Sequence, residues 1–347
     1  VNVRADNHQR ARDARARGVA PAVFVHELLD PSGASLRLLE DNGFAVQRGC
    51  PTWGGSFLGE DELIERAAGF PALMGASTHP ITARVIASLP ELAYLSKYGI
   101  GVDSIDMEAA TRHGVLVTNT PIPENWEAVA EYTVAAMLTL RKQLLFYTTD
   151  RLRTGGWRVE TAFSDFLRHR TIGLVGFGRI GRGVARRLAG WDCRVIVHDP
   201  YISAQECAEA GVEAVALDEL LATSDVISLH CVVTPETRHL IDAAALAQVK
   251  ATAILVNSAR GALVDLDALH DALASGRLAG TAMDAYESEP PPVDHPIFTL
   301  PNVIATPHAS AWVEETFEAI ARTGAENLIE AFAGERPRFA VNPQVLE

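Results

Sequence analysis

The sequence is short of cysteine, of long apolar runs and of positive charge, and each shortage removes a class of protein. Only four cysteines occur in 347 residues. Cys50, Cys193, Cys207 and Cys231 form no C-x-x-C pair and no zinc-ligand spacing, which speaks against a disulfide framework and a structural metal. Reduced thiols fit a cytoplasmic location, and no metal is expected. No stretch reaches the ~20 apolar residues of a membrane-spanning helix. Val1–Gly18 is polar, carries Arg4, Arg10, Arg12, Arg15 and Arg17, and lacks the apolar centre of a secretion signal. It could serve as a basic arm for nucleic acid, but a mobile terminal extension over residues 1–20 is the expected reading. The net charge of -14 disfavours nucleic acid and anionic membranes as partners. An anionic small molecule would therefore need a local positive site. Internal repeats and low-complexity segments are also missing.

What is present is a two-part alternation. The length exceeds the ~250–300 residues at which a single core stops growing, so two domains are expected. Ala22–His26, Ala45–Arg48, Ala72–Ala76, Leu92–Ser96 and Val115–Thr118 read as short buried strands, with helical stretches between them, the first ending near Asn42-Gly43. The prolines of Asn119-Thr120-Pro121-Ile122-Pro123 break the series. Trp126–Leu145 then reads as a long helix, apolar nearly all round and buried between the domains. A second series has strands at Thr171–Val175, Arg194–His198, Asp225–His230, Ala253–Asn257, Gly280–Asp284 and Val303–Ala305. Ala311–Ala333 is a last amphipathic helix, stopped at Gly334 with Pro337 beyond. The fold class is α/β: a flavodoxin-like domain over 21–123 and 311–347, and a doubly wound Rossmann domain of six strands over 124–310.

Gly176-Phe177-Gly178-Arg179-Ile180-Gly181 is a G-x-G-x-x-G run that directly follows the strand Ile172–Val175 and opens a helix, Ile180–Leu188. That context is what a dinucleotide fingerprint needs. Gly176 permits the tight turn, Gly178 lets the backbone approach a pyrophosphate, and Gly181 lets helix and strand pack closely. The helix start offers free N–H groups to the phosphates. Asp199 lies 18 residues past Gly181, at the end of the next strand, where a ribose-binding acid belongs. A carboxylate there repels a 2′-phosphate, so NAD is expected in preference to NADP. The plainer alternative is a glycine-rich turn of an unrelated α/β protein, with Asp199 as a solvated strand end.

Three further patches sit just past strands of the same sheet, where ligands of such sheets bind. Asn257-Ser258-Ala259-Arg260-Gly261 carries an arginine whose planar fork suits a carboxylate. Asp284-Ala285-Tyr286-Glu287-Ser288-Glu289-Pro290 and Thr306-Pro307-His308 carry a carboxylate and an imidazole. Singly, each has a dull explanation as a capped turn or a surface charge.

With these patches on the page, the chain from about Pro21 onward resembles the D-isomer-specific 2-hydroxyacid dehydrogenases, the phosphoglycerate, glyoxylate and hydroxypyruvate reductase-like family. The likeness also rests on Lys97-Tyr98-Gly99-Ile100-Gly101-Val102-Asp103, Ile105-Asp106 and Val129-Ala130-Glu131. The resemblance implies an NAD-dependent enzyme that interconverts a 2-oxo acid and a D-2-hydroxy acid. It makes Arg260, Glu289 and His308 the catalytic set, and 21–123 with 311–347 the substrate domain. Arg260 would bind the substrate carboxylate while hydride passes to C2. His308 would donate the proton, with Glu289 orienting the ring and favouring its charged form. The Gly99–Val102 turn would hold the carboxylate by backbone N–H groups, next to Lys97 and Tyr98. Asp284 would meet the nicotinamide amide, and Cys231, Thr234, Ser258 and Ala259 would line the cofactor with His308. A homodimer built around the cofactor domain is also implied.

Departures narrow the reading. Val232 stands where relatives commonly carry proline, and a small backbone effect is expected. Gly75-Ala76-Ser77-Thr78 has no arginine to hold a phosphate, and the extra regulatory domain of some phosphoglycerate dehydrogenases is not expected. Glu289 argues against formate oxidation, while phosphite oxidation stays open. Lys97 could hold a second anionic group, a phosphate or phosphonate, or be a solvated lysine. Trp312 is either a pocket wall or core, and Trp53 a cap on the cleft or a loop tip. The rival class is a nucleotide-sensing corepressor of the same fold.

Overall fold

The computed structural model describes residues 8, 9, 11–13, 18–51, 58–75, 79–160 and 162–347. Two compact units emerge: Val1–Asn125 with Trp312–Glu347, and Trp126–Ala311.

The first unit is built on five parallel strands, β1 (Ala22–Leu28), β2 (Ala45–Pro51), β3 (Ala72–Gly75), β4 (Tyr94–Lys97) and β5 (Leu116–Thr118), in the order β2-β1-β3-β4-β5. This is the flavodoxin-like order. Strands β1, β3, β4 and β5 are buried on both faces because both faces are covered, whereas the edge strand β2 is largely exposed. Val23, Val25, Met74 and Tyr94 pack with Phe317, Ile320, Leu328 and Phe332 of the helix Glu314–Ala333. On the other face Phe24, Leu73, Leu95 and Val117 pack with Leu63, Val85, Ile86 and Ala109. The long helix starts at Glu314 rather than Ala311, after the extended Val313, and stops at Gly334 with φ 84°. Ser96 Oγ donates to Gly324 O at 2.9 Å. Glycine eases that approach, since a Cβ there would lie 3.2 Å from both Ser96 Oγ and Tyr98 Cε1, close enough that they would have to shift.

One expectation fails at the N-terminus. His8 is buried, its Nε2 lies 2.8 Å from Gly114 O, and its ring meets Tyr94 edge-on. Ala11 joins the same core. This part of the extension is docked, because a ring contact and a buried hydrogen bond offset its basic character. Trp53 and Ala76–Thr78 lie outside the described residues.

The second unit carries seven parallel strands: β6 (Thr171–Val175), β7 (Arg194–His198), β8 (Glu213–Ala214), β9 (Val226–Leu229), β10 (Ile254–Asn257), β11 (Gly280–Met283) and β12 (Val303–Ala305). Their order is β12-β11-β10-β9-β6-β7-β8, which reverses between β6 and β9 as a doubly wound sheet does. Six strands were expected. The seventh, β8, is two exposed residues, too short for any alternation to reveal it. The helix Pro123–Arg141 also differs from the Trp126–Leu145 reading. Proline is tolerated at a first helical position, so the helix begins at the proline break rather than after it. It is not buried all round: Ala130, Ala136, Met137 and Leu140 pack with Ile172, Leu174 and Val256, whereas Leu144 and Leu145 are exposed beyond its end.

The tail is fastened to the first unit by Asn342. Its Oδ1 accepts from Val117 N at 2.8 Å, and its Nδ2 donates to Val115 O at 2.9 Å and Thr111 Oγ1 at 3.1 Å. Asn342→Ala leaves two buried backbone groups of the β5 region without partners, at about 1–3 kcal/mol each. Urea unfolding should show the first unit destabilised by about 2–6 kcal/mol. A variant that unfolds with the wild-type protein would refute this account of the tail.

Candidate active site

The sheet of the second unit brings the expected residues to its carboxyl edge. Asn257 ends β10 and is buried. Its Oδ1 accepts from Ala259 N at 3.1 Å and its Nδ2 donates to Arg260 O at 2.8 Å, so one side chain brackets the turn that presents Arg260. Gly261 follows because nothing larger fits: a Cβ there would lie 1.9 Å from Tyr286 C. That close approach sets the Arg260 turn against the loop after β11, which carries Glu289.

His308 Nδ1 lies 2.9 Å from Glu289 Oε1 and 2.8 Å from Oε2. Glu289 Oε1 also accepts from Tyr286 N at 3.0 Å. Burial pushes the Glu289 carboxyl up, but the His308 hydrogen bond and charge, the Tyr286 N–H and the Arg260 charge outweigh it. The net shift is downward, so Glu289 stays negative at neutral pH and its charge is lost only as pH falls below the ordinary carboxylate range. Arg260, Glu289 and His308 therefore form one electrostatic group. With Nδ1 engaged by the carboxylate, Nε2 is the ring nitrogen that points away from that contact. His308 sits at φ 52°, a left-handed conformation that costs a side-chain-bearing residue on the order of 1–3 kcal/mol. Asp284 holds that turn. Its Oδ1 accepts from Thr306 Oγ1 at 2.6 Å and Ala309 N at 2.7 Å, and its Oδ2 from Ser310 N at 2.8 Å.

The reversal between β6 and β9 holds the fingerprint. Gly176 has φ 96°, and a Cβ on it would lie 2.7 Å from Cys231 N and His230 C. A Cβ on Gly181 would lie 2.4 Å from Gly176 O, whereas one on Gly178 would meet no protein atom within 4 Å. Gly178 thus opens onto space, at the start of a helix, Arg179–Leu188, that has no side-chain cap. A pyrophosphate fits there by its oxygens, which the bare N–H groups would receive. Arg179 holds its guanidinium 4.9 Å from the Trp126 ring, adding local positive charge to an acidic protein.

The comparisons agree with this geometry. Residues 134–310 match the model of the D-isomer specific 2-hydroxyacid dehydrogenase, NAD binding domain. A glyoxylate reductase of Korarchaeum cryptofilum is 40% identical over 290 residues, 82% of this chain and 86% of that protein. The chain belongs to the D-isomer specific 2-hydroxyacid dehydrogenase family. A D-3-phosphoglycerate dehydrogenase of Mycobacterium tuberculosis is 38% identical over 282 residues, 81% of this chain but only 53% of that longer protein. The crystal structure of a glyoxylate reductase from Paecilomyes thermophila superposes with a TM-score of 0.81 at 29% identity, covering 94% of this chain and 99% of that one. The protein is an NAD-dependent dehydrogenase that interconverts 2-oxo and D-2-hydroxy acids. No helix among the described residues is long and apolar enough to cross a membrane.

Several residues of this dehydrogenase have contacts that residue type alone did not reveal. Phe177 is wholly buried, and its N–H donates to Asp199 Oδ2 at 2.7 Å. Asp199 Oδ1 accepts from Tyr201 N at 2.9 Å, so Asp199 braces the fingerprint loop. Ile180 is half-buried in the fingerprint helix. Ser258 Oγ pairs with Thr133 Oγ1 at 2.8 Å. Thr234 is braced by Thr237, whose Oγ1 accepts from Thr234 N at 2.7 Å and donates to Val232 O at 2.7 Å. Val232 itself is exposed. Burial pushes the Cys231 thiol up to about 11, so it is inert as a nucleophile. His230, given no role from sequence, lies under the fingerprint, with Nε2 2.9 Å from Ser228 Oγ. Burial pushes its ring down to about 3 and keeps it neutral.

In the first unit, Lys97 is buried rather than solvated, and its Nζ donates to Tyr98 O. Tyr98 N donates to Gly75 O at 2.8 Å and Gly99 N to Thr120 Oγ1 at 2.7 Å. The N–H of Gly99, the first of the expected carboxylate turn, is thereby spent, whereas those of Ile100, Gly101 and Val102 make no hydrogen bond to the described residues. Trp312 belongs to this unit and stacks edge-on against Phe317 at 5.0 Å, while keeping much of its surface exposed.

The Asp199 geometry makes cofactor choice measurable. NADPH would lose ribose hydrogen bonds and set its phosphate against a fixed carboxylate, worth at least about 1.4 kcal/mol or tenfold. kcat/KM with NADH should exceed that with NADPH by more than about tenfold. Equal values would contradict the role of Asp199.

Proposed function

We propose that this dehydrogenase reduces a short 2-oxo acid of the glyoxylate or hydroxypyruvate kind, with Arg260 as carboxylate anchor, His308 as proton donor and Glu289 as its orienting partner. The observation that carries this reading is the two-oxygen contact between Glu289 and His308 Nδ1, within the field of Arg260. When bound, NADH supplies the hydride that reaches C2. Arg260 would grip the carboxylate with its fork and draw electron density from the 2-oxo group. His308 Nε2 would give its proton to the oxygen as negative charge develops there. Glu289 would stabilise the imidazolium beforehand and fix the ring plane. In the first unit, the N–H groups of Ile100, Gly101 and Val102 are the proposed substrate contacts, and Gly176–Gly181, Asp199, Cys231, Thr234, Ser258, Ala259 and Asp284 the proposed cofactor contacts.

Glyoxylate reductases that align over most of their length with this chain favour the short substrate. The buried Lys97 ammonium favours a second reading, a substrate with a further anionic group. A panel of glyoxylate, hydroxypyruvate, its phosphate and phosphonopyruvate, followed by NADH oxidation, separates the two. The first reading expects the unphosphorylated acids to give the higher kcat/KM, and the opposite order would overturn it.

The roles divide by mutation. His308→Ala should lower the rate of reduction by roughly 10²–10⁴-fold while NADH binding changes little. Arg260→Lys should damage both KM and kcat, because a point charge cannot replace a fork. Glu289→Gln should lower kcat with NADH binding little changed, since the amide loses the two-oxygen hold on Nδ1. Wild-type turnover in His308→Ala, or in Glu289→Gln, would sink the assignment.

We further infer a homodimer formed through the segment that carries Leu152, Trp157, Phe163 and Phe166 in the second unit. Trp157, Phe163 and Phe166 are 66%, 81% and 70% exposed, an apolar display that a second copy would cover. Light scattering should give a dimer for the wild type and a monomer for Phe163→Glu with Phe166→Glu. A monomeric wild type at micromolar concentration would rule this out.

A further inference from the structure

His308 stands in a strained turn, and such a turn persists only where its surroundings over-determine it. Asp284 supplies part of that constraint through the N–H groups of Ala309 and Ser310, the two residues after His308. The third donor to Asp284 is the Thr306 hydroxyl at 2.6 Å, and Thr306 Oγ1 lies 2.6 Å from the Tyr132 hydroxyl. A carboxylate only accepts, so Thr306 must spend its proton on Asp284. Its lone pair then has to take the proton of Tyr132. The direction of the chain is thereby fixed, from Tyr132 to Thr306 to Asp284, and on to the backbone that flanks His308.

We propose that Tyr132 is a positioning residue for His308: its hydroxyl closes a hydrogen-bond chain that fixes the left-handed turn and so aims the imidazole at Glu289 and the substrate oxygen. The inference rests on the proposed proton-donor role of His308. Burial raises the Tyr132 phenol above its ordinary value, the Thr306 bond opposes this and the Asp284 charge adds to it. The hydroxyl therefore keeps the proton it has to give. Asp284 is almost fully buried, so the chain works in low dielectric, where each hydrogen bond is stronger than in water. Tyr132 belongs to the helix Pro123–Arg141, whose next residue, Thr133, takes the Ser258 hydroxyl two positions before Arg260. Consecutive residues of one rigid helix thus reach the loop that presents the proton donor and the turn that presents the anchor. Among the described residues Tyr132 shares no hydrogen bond with His308 or Glu289 and acts through Thr306 and Asp284, so its effect should appear in the chemical step and not in binding.

The test compares Tyr132→Phe, Thr306→Val, Thr306→Ser, the double variant Tyr132→Phe with Thr306→Val, and His308→Ala in the full-length enzyme. Tyr132→Phe should lower kcat for 2-oxo acid reduction by roughly two- to tenfold, with substrate KM and NADH affinity unchanged. Thr306→Ser keeps the hydroxyl and should retain wild-type kcat, whereas Thr306→Val should lose at least as much as Tyr132→Phe. The double variant should be no worse than Thr306→Val alone, because the chain is already cut. Wild-type kcat in Tyr132→Phe beside a disabled His308→Ala would overturn the inference and leave the proton-donor reading standing. A loss confined to KM, or losses that multiply in the double variant, would also overturn it. Wild-type turnover in His308→Ala would remove the proton-donor reading itself, and this inference with it.

Discussion

A single buried carboxylate, Asp284, holds together the part of the dehydrogenase where proton exchange is proposed. A buried charge is costly unless every lone pair it exposes finds a donor. Asp284 meets most of that demand with the Thr306 hydroxyl and the N–H groups of Ala309 and Ser310, all drawn from one short stretch of chain, which leaves about one lone-pair site for the proposed cofactor contact. The donors have to converge, so the stretch must curl around the carboxylate. His308 lies inside that curl, which accounts for its left-handed backbone. From there its Nδ1 reaches both oxygens of Glu289, itself set by Tyr286 N and by the tight approach of Gly261 to Tyr286. Electrostatic demand at one residue thus shapes the loop, and the loop sets the geometry of its neighbours.

The cofactor cradle obeys a steric rule instead. At the reversal between β6 and β9 the backbone of Gly176 runs too near His230 and Cys231 for any side chain, and Gly181 is pressed against Gly176 O. Gly178 alone opens away from protein. Two of the three glycines of one motif therefore answer packing constraints, while the third leaves open the space where a pyrophosphate is proposed. Asp199 connects this cradle to the adjacent strand by accepting the Phe177 N–H. With Tyr201 N on its other oxygen, that carboxylate steadies the loop.

Much of this was legible in the sequence because the signals are local. The glycine spacing, the strand before it and the acid 18 residues on are read along one short stretch, and the β-branched runs mark the central strands of both sheets. Arg260, Glu289 and His308 could be grouped because each follows a strand of one sheet, whose carboxyl edge gathers what the topology separates. What stayed hidden depends on contacts between distant stretches. Asn257 bracketing the Arg260 turn, Thr237 bracing the Val232–Thr234 segment and Tyr132 reaching Thr306 leave no periodicity and no motif. The docking of His8 against Tyr94 is equally silent in a polar, arginine-rich terminus. Strand β8 was missed because two exposed residues carry no pattern, and the end of the helix at Arg141 because apolar Leu144 and Leu145 continue the composition without the burial.

The central claim is that His308 delivers the proton as hydride reaches C2. Single-turnover oxidation of bound NADH by glyoxylate, compared in light and heavy water, tests it most directly. The account predicts a slower turnover in heavy water for the wild type, and a His308→Ala enzyme whose residual rate no longer responds to the solvent. The same solvent effect in both proteins would mean that the proton comes from elsewhere.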